Sequence, residues 1–100
     1  MANSAHHSLQ ATVRNSKGLH MRPLEVIARK AQSFLSQINV TRGLNRVDAK
    51  SFLNLLTLGA DAGTQLNVEA TGEDAESAVQ QLVTLIESDF EIAEVSARAN

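Results

Sequence analysis

"SLQATVRNSKGLHMRPLEVIARKAQSFL", residues 8 to 35, changes its hydrophobic period part-way along. Ser8 to Arg14 alternates, with Leu9, Ala11 and Val13 on one face and Gln10, Thr12 and Arg14 on the other. A period of two belongs to a strand with one buried face. Asn15-Ser16-Lys17-Gly18 has turn chemistry. From Met21 to Leu35 the spacing becomes helical: Leu24, Ile27, Ala28, Ala31, Phe34 and Leu35 form a stripe, and Arg29, Lys30 and Gln32 are left mainly for solvent. Pro23, the only proline, fits the first helical turn, whose amides have no partner inside the helix. It marks a helix start and puts His20 at or beside the N-cap.

Further along, Gln37 to Arg42 alternates through Ile38 and Val40. Gly43 and Asn45 suggest a reversal into a weaker strand around Val47. Ser51 precedes "FLNLL", one or two helical turns for which it is a suitable N-cap. Gln65 to Thr71 is the clearest strand, with Leu66, Val68 and Ala70 facing one way. Glu73 to Ser88 reads as an amphipathic helix lined by Ala75, Ala78, Val79, Leu82 and Ile86. Glu73, Asp74 and Glu76 suit the positive end of its dipole. The order β-α-β-β-α-β-α predicts one α+β domain, a mainly antiparallel sheet with helices on one face. Residues 1–7 are expected to be a flexible N-terminus, 8–88 the domain, and 89–100 a C-terminal extension.

One hundred residues suit a single domain that buries about two-thirds of its unfolded surface. Apolar residues are 43% of the chain, but aromatics only 3%, all phenylalanine, so the core must be aliphatic. Scarce aromatics and a formal charge of −2 argue against a nucleic-acid binder, which needs basic excess and stacking platforms. The absence of cysteine excludes disulfides, thiolate metal sites and thiol nucleophiles. The first ten residues have neither a basic n-region nor an apolar h-region, and no apolar run is long enough to span a membrane. A cytoplasmic protein, monomeric at this size, is the expectation.

His20 has two readings on position alone. It is a polar surface residue or weak N-cap, or it is a nucleophile. His6 and His7, adjacent in the N-terminal segment, do not converge with it on a metal, and no cofactor is expected. No G-x-x-x-x-G-K-[ST] loop or G-x-S-x-G elbow is present. The local physics favours phosphate chemistry. A helix N-terminus offers backbone N–H groups and the positive dipole end to an anion. Arg22 can hold phosphoryl oxygens with its planar fork, and an imidazole can accept a phosphoryl group covalently.

Three stretches then match together: "GLHMRP" followed by an amphipathic helix, "DAKSFLNLLTLG", and "GEDAESAVQQLVTLIE". In that order they closely resemble the histidine-containing phosphocarrier (HPr) family of the phosphoenolpyruvate-dependent phosphotransferase system, from about Ser8 to Glu87. The resemblance implies an open-faced β-sandwich, four antiparallel strands covered on one face by three helices. It implies a carrier rather than an enzyme, phosphorylated on Nδ1 of His20, with Arg22 neutralising the phosphate. Phosphorylated enzyme I is the implied donor and enzyme IIA domains the acceptors. "AKSF" puts Ser51 on the family's regulatory serine, a substrate of HPr kinase/phosphorylase in some bacteria. A module signalling mainly through Ser51 is the alternative reading. Met21, Leu24, Arg29, Phe52, Leu53 and Leu56 are the implied partner surface. Two positions depart from the pattern: Leu24 is larger than the small residue that usually follows the proline, and Gln32 stands where a basic residue is common.

Overall fold

A computed structural model describes residues 5–88. The expected order of elements is present: β1 (Ala5–Thr12), α1 (Met21–Gln32), β2 (Gln37–Arg42), β3 (Asn45–Asp48), α2 (Phe52–Leu56), β4 (Gln65–Gly72) and α3 (Ala75–Ile86). The strands form one sheet in the order β1-β4-β2-β3. Every pairing is antiparallel: Leu9 lies opposite Val68, Val40 opposite both Val68 and Val47. The three helices cover one face, giving the open-faced sandwich.

Alternation decides which side chains enter the core. Ala11, Ile38, Val40, Val47, Leu66, Val68 and Ala70 leave the strands on the helical side and are all buried. Leu24, Ile27, Ala28 and Ala31 of α1, Leu55 of α2, and Ala75, Ala78, Val79, Leu82 and Ile86 of α3 meet them. Among the described residues the fully buried hydrophobic side chains are aliphatic, while Phe34 and Phe52 pack at the margin.

Several ends differ from expectation. β1 begins at Ala5 rather than Ser8, because Ala5, His6 and His7 continue the ladder opposite Gly72, Thr71 and Ala70. Residues 5–7, expected in the flexible N-terminus, are therefore strand. Leu9, on the core-facing side by alternation, is 46% exposed. Among the described residues β1 is an edge strand, so no strand of theirs flanks Leu9 on one side.

α1 stops at Gln32 instead of running to Leu35. Ser33 caps it, its N–H and Oγ both donating to the Lys30 carbonyl. The next backbone is drawn away: the N–H groups of Leu35 and Ser36 donate to the Asp74 carboxylate at 2.8 and 2.9 Å. Leu35 is consequently 82% exposed. α3 is shorter at both ends than expected, and Asp74, its N-cap residue, makes no side-chain cap to its own helix. Gly72 sits where that turn meets the other: an added Cβ would lie 2.5 Å from Ser36 Oγ, at a φ of +148°. The expected extension, 89–100, lies outside the described residues.

Candidate functional site

His20 occupies the N-cap of α1 in an extended conformation, φ −88° and ψ −165°. Its carbonyl starts the helix by accepting from Leu24 N–H at 3.1 Å. Its imidazole makes no capping hydrogen bond and is exposed. Buried Pro23 and Leu24 hold the first turn against the core, and Arg22 projects from that turn as an exposed residue.

The segment before His20 is built on contacts from the far half of the chain. Val13 N–H donates to Thr64 O at 2.9 Å, Gly63 N–H to Val13 O at 2.8 Å, and Leu19 N–H to Ala60 O at 2.8 Å. Gly18 makes this approach possible. Its φ is +74°, and a Cβ would stand 2.8 Å from Ala60 O, so any side chain is both strained and blocked. Asn15 closes the turn from inside. Its carbonyl accepts from Gly18 N–H at 2.8 Å and its Nδ2 donates to Gly18 O at 2.7 Å. The sequence marks residues 15–18 as a turn, but the full burial of Asn15 and the close approach of residues 60–62 to Gly18 are revealed by no local pattern.

α2 packs against α1. Ser51 is its N-cap: Oγ accepts from Asn54 N–H at 3.2 Å and from Asn54 Nδ2 at 3.0 Å. Just before it, a reciprocal tie joins the helices. Gln32 Nε2 donates to Lys50 O at 2.9 Å, and Lys50 Nζ donates to Phe34 O at 2.8 Å. Gln32, expected mainly for solvent, thus uses its amide to anchor α2. Its hydrogen bond also fixes polarity: Ser51 lies beside the last turn of α1 and His20 caps the first. Twelve helical residues separate those ends, about 18 Å along the axis. Met21 and Gln32, eleven residues apart, fall within roughly 20° of each other around α1, so Met21 lies on the flank that faces α2.

Met21, Leu53 and Leu56 are exposed large apolar side chains, and Phe52 is half-buried. Leu24, expected with them on the partner surface, is instead core at 3% exposure. Its place in the stripe with Ile27, Ala28 and Ala31 turns it inward. Arg29 is exposed and lines a groove with Val26, Lys30 and Leu85 between α1 and α3. Elsewhere, His6 Nδ1 lies 2.9 Å from Thr71 Oγ1. Among the described residues no cluster of His, Cys, Asp and Glu has the makings of a metal site, and no helix is long and apolar enough to cross a membrane.

Residues 7–88 match the family model described as "PTS HPr component phosphorylation site". The chain belongs to the HPr family. HPr proteins are phosphocarriers of the phosphotransferase system, carriers of a phosphoryl group rather than catalysts. The phosphocarrier protein HPr of Haemophilus influenzae is 45% identical over 71 residues, 71% of this chain and 84% of that protein. Solved HPr structures share the architecture. That of Bacillus anthracis superposes with a TM-score of 0.80 at 25% identity, covering 83% of this chain and 99% of that one. An HPr from Thermoanaerobacter tengcongensis gives 0.77 at 35% identity, covering 80% and 90%. The four-stranded antiparallel sheet under three helices is therefore the HPr fold, as the resemblance implied.

Proposed function

We propose that His20 is the phosphoryl acceptor, charged by phosphorylated enzyme I and discharged to enzyme IIA-type domains. The observation that carries this is an exposed imidazole, uncommitted to capping, standing at the N-terminus of α1. The unprotonated Nδ1 attacks phosphorus, a P–N bond forms, and the bond from phosphorus to the donor breaks with its electron pair leaving on the donor. The charged ring keeps its proton on Nε2 until the same exchange runs forward to the acceptor. Arg22 and the first-turn amides balance the phosphoryl charge. Met21, Leu53 and Leu56, with the exposed part of Phe52, form the docking surface, and Arg29 contributes positive charge at a distance. On this reading the carrier comprises residues 8–88 and works in the cytoplasm.

Ser51 is a second, regulatory acceptor on this reading, modified by an HPr kinase/phosphorylase. The two donors that Asn54 already aims at Ser51 Oγ suit a phosphate at the same position, so α2 keeps its cap when nearly two negative charges arrive.

Incubation with phosphoenolpyruvate and enzyme I tests the main reading. One phosphate should be taken up, lost in acid because a P–N bond is acid-labile, and absent from His20→Ala. Failure of the wild type to label with a competent donor sinks it. Acid-stable label confined to Ser51 would favour the alternative, a module that signals through that serine.

A further inference from the structure

We infer that Asn15 is a positioning residue for His20, a buried brace that fixes the peptide leading into the helix N-cap. The inference rests on the reading of His20 as phosphoryl acceptor and adds a residue five positions upstream. Asn15 is completely buried, one of two buried polar residues among those described. The other, Ser36, has its hydroxyl and amide bonded to Asp74. Asn15 is only half satisfied: Nδ2 donates to Gly18 O, while Oδ1 is buried without a partner.

For stability alone this is a poor arrangement. An unbonded interior carbonyl is costly, and an apolar side chain of similar size avoids the cost. What the amide supplies, and an apolar group cannot, is a donor aimed at Gly18 O. That oxygen belongs to the same planar peptide unit as Leu19 N–H. Asn15 holds one end of the unit at 2.7 Å, and Ala60 O holds the other at 2.8 Å. Leu19 then buries its side chain, and His20 O is taken by Leu24 N–H. The imidazole is thereby carried on a backbone pinned both before and after it. Without the Asn15 donor, the peptide keeps only its Ala60 contact and can rotate about it. Group transfer at a placed nucleophile is sensitive to such shifts, since a displacement of about 1 Å can cost roughly a hundredfold.

The test compares wild type, Asn15→Ala, Asn15→Leu and, as a destabilised control remote from the loop, Val79→Ala. Asn15→Leu fills the space while removing both polar atoms. Each protein is charged by enzyme I with phosphoenolpyruvate and, separately, by phosphoramidate, which needs no protein partner. Phosphorus NMR reads uptake and the lifetime of the P–N bond, and thermal melting reads folding. Both Asn15 variants should lower kcat for transfer by about tenfold or more, leave KM for enzyme I within about twofold, and change the phosphohistidine lifetime several-fold. Val79→Ala should alter neither rate nor lifetime below its melting transition. Folded Asn15→Leu with wild-type kcat and lifetime overturns the inference and leaves Asn15 as a packing residue. If wild type accepts phosphate from phosphoramidate but not from enzyme I, the carrier reading fails, while the lifetime comparison still decides the role of Asn15.

Discussion

Asp74 immediately precedes α3, yet its carboxylate serves another loop. It accepts from Ser36 Oγ at 2.5 Å and from the N–H groups of Leu35 and Ser36. These hydrogen bonds, that of Ser36 Oγ foremost, hold its pKa below the ordinary value. A lowered folded pKa means that the stabilisation is fully present above the unfolded carboxylate value and is lost as pH falls through the folded one. Asp74→Asn should therefore be less stable than wild type near neutrality, with the gap closing once pH drops below about 3.9. Urea unfolding across that range checks it, and a gap independent of pH refutes the account. At this scale the sequence was partly legible. Helical spacing places Leu24 in the core stripe, where it is found, and not on the exposed surface that the resemblance implies. Asp74 was readable as an acidic residue at a helix start. Its real partners are 38 and 39 positions away, where no short pattern reaches.

Among the elements, α2 most depends on its surroundings. Five residues cannot hold a helix in water unaided, since nucleation outweighs the few hydrogen bonds gained. Leu55 buried beneath it, the Ser51 cap above and the Gln32–Lys50 tie beside it supply what length does not. Ser51→Asp should leave α2 folded, because aspartate is as good an N-cap as serine. Its charge would lie near the far end of α1 from His20. It should therefore raise KM for enzyme I several-fold while kcat stays near wild type; steady-state transfer kinetics distinguish the two, and an unchanged KM counts against Ser51 as a docking-face switch. Capping made α2 and its start legible from "SFLNLL". The end of α1 was less so: Phe34 and Leu35 continue the apolar period, but Ser33 and the pull of Asp74 on the following amides end the helix first.

The whole molecule rests on one aliphatic core shared by sheet and helices, and Leu82 lies fully inside it. Leu82→Ala should cost about 2–5 kcal/mol, the usual loss for a large core side chain cut to alanine. Chemical denaturation measures this directly, and a loss below about 1 kcal/mol would mean that the core relaxes around the gap. Element order and alternation made the α+β class and the buried face of each strand readable. The strand order β1-β4-β2-β3 was not readable from them, because β1 pairs with a strand more than fifty positions away. Antiparallel pairing alone permits other arrangements. The same long reach has a consequence for how the protein comes into being. The peptide before His20 is held by Ala60, forty-one positions beyond Leu19, so a growing chain lacks that hold until its second half has emerged and docked. Distant contacts of this kind close slowly. With His20 as the acceptor proposed above, competence to carry phosphate should be a late event in folding, and the rate at which refolding chains become chargeable should follow completion of the sheet.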